Sequence, residues 1–382
     1  MKKVLKRVTA AACCAFLMFS FAACSDGTNN GGGADKETES ASTEGNTEDS
    51  SNTDDGETKK IGVAMPTKDL QRWVQDGDNM KKELEAAGYE VDLQYANNDI
   101  ATQVSQIENM VSGDCDLLVI AAIDGSSLGT ALQGAKDKGI TVIAYDRLIM
   151  QTDAVSYYAT FDNYLVGKLQ GEYIEEQLGL QDTDESFHIE LFTGSSDDNN
   201  VNFFFNGAME VLNPYIDDGT LVVKSGSTTL AECATPNWST EEAQKRMENI
   251  ITAYYSDGTK LDAVLSSNDS VANGITNAID SSYNGDFPVL TGQDCDITSV
   301  KNILNDKQSM SIFKDTRTLA AKVVEMITAH MNDEEVPVND TETYDNGTKV
   351  VPSFLCEPVF ADKDNYKELL IDSGYYTEEQ LQ

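Results

Sequence analysis

The run Gly139-Ile140-Thr141-Val142-Ile143-Ala144-Tyr145 ends in Asp146-Arg147, a carboxylate beside a guanidinium at the end of an apolar stretch. Asp supplies two acceptor oxygens and Arg a planar fork of donors, a pairing that suits adjacent hydroxyls on a small polar molecule. The same pair also fits an ion pair on the rim of a strand. A second constellation points to a different chemistry: Gly125-Ser126-Ser127-Leu128-Gly129 fits G-x-S-x-G between a strand and a helix, the place of a nucleophile elbow. Such a serine needs a histidine base, and the chain has only two histidines. Neither His188 nor His330 stands in a context that marks it as that base, and the extra Ile123-Asp124 displaces the motif from the strand, so hydrolysis is disfavoured. So few histidines also argue against a conventional metal hydrolase, and no metal site is expected.

The elements that must carry Asp146 and Arg147 read as alternating strands and helices. Strands are predicted at Lys60–Met65, Tyr89–Tyr95, Leu117–Ile123 and Thr141–Tyr145, with helices at Asp76–Ala87, Ile100–Ser112 and Ser127–Lys138. Short continuous apolar strands separated by helices indicate a parallel sheet covered on both faces. A second series begins near Leu165. It has strands at His188–Phe192, Leu221–Ser225, Ala263–Ser266 and Val289–Leu290, with helices between them and further helices near Ser299–Asn305 and Thr316–His330. Two such series make two Rossmann-like lobes, and in open α/β sheets ligands sit beyond the carboxyl ends of the strands.

Charge and the N-terminus bound the partners. The 382 residues include 65 acidic against 27 basic, for a net charge of -38. That excludes a nucleic-acid footprint and charge-driven adsorption to anionic lipid. Lys2, Lys3, Lys6 and Arg7 precede an apolar Val8–Phe21 run, then Phe21-Ala22-Ala23-Cys24. This pattern reads as an export signal over 1–23. A cysteine after Ala-Ala is similar to the bacterial lipobox, which implies cleavage before Cys24 and lipid on its sulfur. Residues 24–58 form an acidic Gly/Ser/Thr/Asn tether with too little apolar surface to fold. Cys115, Cys233, Cys295 and Cys356 remain beyond it without C-x-x-C spacing, so zinc is disfavoured and one disulfide stays open in an exported protein.

From Lys60 onward the sequence resembles the class I sugar-binding proteins of ABC importers, nearest to the bacterial multiple-monosaccharide and xylose binding proteins. The likeness rests on Ala64-Met65-Pro66-Thr67-Lys68 with Arg72-Trp73, Ile107-Glu108-Asn109-Met110, Tyr145-Asp146-Arg147, and Tyr158-Ala159-Thr160-Phe161-Asp162-Asn163. Asp198-Asn199-Asn200, Ser267-Asn268-Asp269, Gly292-Gln293-Asp294 and Phe313-Lys314-Asp315 extend it through the second half. The resemblance implies a type I periplasmic-binding-protein fold: two Rossmann-like α/β lobes, a three-segment hinge, and a ligand cleft between them. It implies lobes of 59–161 with 294–345 and of 162–293 with 346–382. Asp162 and Gln293 would stand at the first two crossings, and Val350–Val359 would be a final strand in the second lobe.

It also implies the ligand set. Lys68 and Arg72 donate to hydroxyls or a ring oxygen and Trp73 stacks, although Trp73 at a helix start also fits plain packing. Asp146 and Arg147 form the second group. Asn200 points into the cleft, while one of Asp198–Asn200 caps the following helix. Trp238 either faces the sugar or packs in its loop. Asn268, Asp269, Asp294 and Lys314 complete the set. The implied activity is capture of an aldopentose or aldohexose and delivery to an ABC permease. The implied protein is a monomer, without catalysis or cofactor, lipid-anchored outside the cell membrane. A receptor passing a sugar or furanosyl signal to a membrane sensor would share the fold. An EF-hand loop, found in some sugar receptors, is absent, Asp182-Thr183-Asp184 being the nearest fragment.

Overall fold

The computed structural model describes residues 58–382. The signal segment 1–23, Cys24 and the tether as far as residue 57 lie outside the described residues. The first half of the chain runs β1 (Lys60–Met65), α1 (Gln71–Ala86), β2 (Glu90–Tyr95), α2 (Ile100–Ser112), β3 (Leu117–Ile120), α3 (Gly129–Asp137), β4 (Thr141–Tyr145) and β5 (Tyr157–Phe161). It continues with α4 (Asn163–Leu178), β6 (Phe187–Phe192), α5 (Asn200–Asp218), β7 (Leu221–Val223), α6 (Leu230–Cys233), α7 (Thr240–Ile250), β8 (Ala263–Ser266), α8 (Asp269–Ser282) and β9 (Val289–Leu290). The last elements are α9 (Ile297–Leu304), β10 (Met310–Phe313), α10 (Thr316–Met331), β11 (Ser353–Cys356), β12 (Val359–Asp362) and α11 (Glu378–Leu381).

Two sheets result. The first has the order β11-β5-β4-β3-β1-β2 and the second β7-β6-β8-β9. Every pairing within them is parallel. Each of β3, β4 and β8 is buried along most or all of its length, as sheets covered on both faces require. β10 pairs antiparallel with β12 and joins β9's extension, because Ser309 N donates to Leu290 O and Ile312 N to Gly292 O. Strand order jumps outward from the middle of each sheet, so ligand-reaching loops gather at the carboxyl ends.

The chain crosses between the sheets after β5, after β10 and after β11, and this corrects the expected boundaries. Gln293 is not a crossing: it bridges Ile312, so β10 stays with the second sheet and Lys314 ends a second-sheet strand. The segment 346–356 stays with the first sheet. Asn346 Nδ2 donates to Ile149 O and Thr152 O, and β11 lies parallel to β5. Only β12 and the tail beyond it return to the second. Amphipathic spacing could not reveal this, since a two-residue β9 and a lone parallel bridge carry almost no pattern. The first crossing does fall at Asp162, whose side chain caps α4 through Leu165 N (3.0 Å) while its own N–H donates to Cys356 O.

α4 and α5 pack unusually closely because glycines meet backbone. A Cβ on Gly167 would stand 1.8 Å from Phe204 O, and one on Gly207 2.1 Å from Tyr164 O. No side chain can yield there, so the helices would have to separate. Gly167→Ala is expected to cost about 1–3 kcal/mol and lower the melting temperature of the full chain by several degrees. An unchanged melting curve would contradict this packing account.

Candidate functional site

The helix after β1 starts earlier than its sequence suggests. α1 begins at Gln71 behind Leu70, which makes no capping bond, so the usual Ser/Thr/Asp/Asn start signal is missing. Arg72 and Trp73 therefore stand in a helical first turn rather than on a loop. Arg72 is buried, and each edge of its guanidinium meets a carboxylate. Nε donates to Asp76 Oδ2 (2.7 Å), Nη2 to Asp146 Oδ2 (2.6 Å) and Nη1 to Asp294 Oδ1 (2.8 Å). Asp76 lies one turn along the same helix, Asp146 follows β4 of the first sheet, and Asp294 follows β9 of the second. Lys314 adds a second cation, 3.1 Å from Asp294 and 3.8 Å from Asp146.

The two cleft aspartates have left-handed backbones, φ 59° at Asp146 and 97° at Asp294. Such residues persist only where surroundings over-determine them. At Asp146 the fixing is visible: its carbonyl accepts from Tyr158 Oη (2.6 Å), Thr160 Oγ1 (3.0 Å) and Asn200 Nδ2 (2.6 Å). Asn200 comes from α5 of the second sheet, so this too ties the halves together. Arg147 Nη1 donates to the carbonyls of Ala122 and Ile123, each at 3.1 Å. Its Nε lies 3.0 Å from Asp198 Oδ2 but off the direction of a hydrogen bond, which makes that contact an ion pair.

Electrostatics follow from this packing. Burial opposes the charge on Arg72, but Asp146, Asp76 and Asp294 outweigh it and hold its pKa well above the ordinary value. Burial would raise Asp146, yet Arg72, Lys314 and Arg147 keep it below the usual carboxylate range. Burial pushes Asp76 up to about 6 against the pull of Arg72. Burial, with Asp294 adding to it, pushes Asp296 up to about 7.

The cleft between the strand ends is nearly closed, with about 30 Å³ of cavity volume. Arg72, Trp73, Asp146, Arg147, Asn200, Trp238, Asn268, Asp294 and Lys314 line it. Asn268 also caps α8 through Val271 N. Two expected residues are elsewhere. Lys68 is exposed, its ammonium 4.6 Å from the centroid of the Tyr95 ring, because the loop turns it away before α1 begins. Asp269 is fully buried beneath the cleft, accepting from Gln308 Nε2, Ser311 Oγ and Asp296 N, so it braces the wall rather than facing the space. The serine of the G-x-S-x-G run donates to Asp124 O, while His330 pairs with Thr141 and His188 with Lys260 O, so no Ser–His pair forms.

Several wall residues escaped the sequence reading. Asp76 was detectable as an i, i+4 acidic partner of Arg72. Phe204 and Asp296 had no comparable signal, and Gln293, expected at the hinge, lines the wall instead. Four buried side-chain atoms on lining residues lack a hydrogen-bond partner: Arg147 Nε, which only ion-pairs with Asp198, Trp238 Nε1, Gln293 Oε1 and Asp296 Oδ1. Trp238 is held over Gly194, where a Cβ would stand 2.1 Å from its indole. Trp73 lies under the Arg147 guanidinium, 5.1 Å from the ring centroid. Among the described residues, no helix is long and apolar enough to cross a membrane and no acidic, His or Cys group could hold a metal ion.

Residues 61–335 match the family model described as periplasmic binding protein domain. The chain belongs to that family. It is 52% identical over 325 residues to the multiple sugar-binding periplasmic receptor ChvE of Rhizobium radiobacter, covering 84% of this chain and 92% of that one. It is 37% identical to the D-xylose-binding periplasmic protein of Escherichia coli over 84% of this chain and 92% of that protein. An ABC transporter solute-binding protein from Clostridium phytofermentans, solved with bound β-D-glucose, is 68% identical with a TM-score of 0.84, covering 85% of this chain and all of that one. This places the chain in the type I periplasmic-binding fold, with two parallel α/β sheets.

The raised carboxyl of Asp296 sets a pH dependence. A folded pKa near 7 against about 3.9 unfolded means the native state holds the proton more tightly. This group's contribution to stability is full below about pH 4 and is lost as pH rises to 7. Asp294, Arg72 and the buried Asp269, whose carboxyl is itself raised beside Asp296, are the charged groups facing it. Asp296→Asn is expected to flatten the fall of melting temperature between about pH 4 and 7; an unaltered slope would contradict the assignment.

Proposed function

We propose that this protein is an extracytoplasmic solute-binding protein that captures a neutral monosaccharide, an aldohexose or aldopentose, between its two sheets and delivers it to an ABC permease. The observation that carries this reading is how the cleft's charges are used. Arg72, Lys314 and Arg147 are already paired with Asp76, Asp146, Asp294 and Asp198. The atoms left without hydrogen-bond partners are a guanidinium N–H of the ion-paired Arg147, an indole N–H, an amide oxygen and a carboxyl oxygen. Such a set has no unpaired cation to offer an anion. It suits hydroxyls, which both donate and accept, and the Trp73 and Trp238 rings suit the C–H faces of a sugar. The kinship with sugar-binding proteins, one solved with β-D-glucose, points the same way.

In this reading Asp146, Arg147, Arg72, Asn200, Asn268, Asp294 and Lys314 orient the sugar. Asp162 and its fellow crossings act as the hinge. Sugar stabilises the closed arrangement because only there do both halves contribute contacts. The protein performs no chemistry on its ligand and works as a monomer. Cys24 carries the lipid that tethers it to the outer face of the membrane, which keeps the loaded form close to its permease.

The test is a thermal-shift panel on the full chain with aldoses, amino acids and nucleosides, followed by titration calorimetry. A melting-temperature rise with D-glucose or D-xylose is expected, lost in Asp146→Ala and in Arg147→Ala. A response to another ligand class with none to sugars would overturn the reading.

A further inference from the structure

The tail beyond β12 folds back against the base of the cleft. Tyr376, only 3% exposed, sits in a small cluster with Cys295, Val300, Phe313, Leu370 and Leu381. Its hydroxyl is the centre of a three-way hydrogen-bond junction. It accepts from Gln71 Nε2 (2.6 Å) and Gln75 Nε2 (3.1 Å), and it donates to Cys295 O (2.9 Å). Burial pushes the phenol's pKa far above its ordinary value, so it remains protonated and the donated bond persists.

These partners stand immediately beside the central ion pair. Gln71 precedes Arg72, and Cys295 follows Asp294. Asp294 and Cys295 are both left-handed, at φ 97° and 51°, a conformation that two consecutive non-glycine residues hold only under constraint. Ile312 O, which accepts from Asp294 N, and Ser311 Oγ, which accepts from Cys295 N, hold this turn from the β10 side. From the α1 side, Gln71 Oε1 accepts from Ile297 N and the Tyr376 hydroxyl grips Cys295 O. Tyr376 itself does not line the cleft.

We propose that Tyr376 is a positioning residue for ligand binding: its hydroxyl clamps the start of α1 to the Asp294–Cys295 turn, setting the Arg72–Asp294 contact across the cleft. The proposal rests on the sugar-binding reading. Ring burial alone would give Tyr376 a packing role, which phenylalanine would fill equally well. The clamp needs the oxygen. A tail residue far from the cleft residues in sequence thus acts on affinity without meeting the sugar.

The experiment compares the full chain with Tyr376→Phe, Gln71→Met and the double variant, using D-glucose as titrant in calorimetry and the melting temperature of the unliganded proteins. Tyr376→Phe is expected to weaken D-glucose binding about fivefold, the worth of one net hydrogen bond, while the unliganded melting temperature shifts by only a few degrees. The double variant should bind no more than about twofold more weakly than the worse single one, because both remove the same clamp. Wild-type affinity in Tyr376→Phe, or independent multiplicative losses in the pair, would overturn the proposal while leaving the sugar-binding reading intact. Absence of all sugar binding sinks both.

Discussion

A single buried guanidinium holds both walls of the cleft. Arg72 lies on α1 of the first half, and its three edges reach Asp76 on its own helix, Asp146 at the end of β4 and Asp294 beyond β9. Removing an arginine from water costs several kcal/mol by itself, and so does removing each carboxylate. The arrangement is tenable because every partner is bound at hydrogen-bond distance and Lys314 offsets part of the remaining negative charge. Deleting any one member would leave a buried charge unmatched, at about 3–5 kcal/mol. The cleft is therefore rigid in its charge pattern, while its unpartnered polar atoms remain for a ligand.

The fold supplies the geometry that this pattern needs. Parallel sheets put all strand carboxyl ends on one side, so loops distant in sequence converge. β4, β8, β9 and β10 end in Asp146, Asn268, Asp294 and Lys314, within reach of one another and of α1. The final adjustment is local. Left-handed backbones at Asp146 and Asp294 turn their carboxylates toward Arg72, each fixed by hydrogen bonds from neighbouring strands. Close glycine-mediated packing of α4 and α5 sets the start of α5, where Asn200 reaches back to the Asp146 carbonyl.

Much of this was legible in the sequence, and the rest was not for physical reasons. The strand Thr141–Tyr145 and its terminal Asp146-Arg147 read correctly because apolar runs and short polar ends are local signals. The early start of α1 did not, since Leu70 is no cap and tertiary contacts fix the first turn. Lys68 and Asp269 share the residue types of true wall residues; only the direction of the side chain separates them. The second crossing was misplaced, and Val350–Val359 assigned to the wrong sheet, because β9 and β11 are too short for periodicity to place them. Phe204, Gln293 and Asp296 enter the wall through three-dimensional proximity alone.

The most direct test of the account is Arg72→Lys, which keeps a cation but removes the planar fork that meets three carboxylates at once. Calorimetric titration with D-glucose is expected to show at least about a tenfold weaker Kd than the unaltered protein, roughly the 1.4 kcal/mol of one lost charged contact, with the variant still folding cooperatively. Unchanged affinity in a folded Arg72→Lys protein would contradict the claim that one bridging guanidinium organises the cleft.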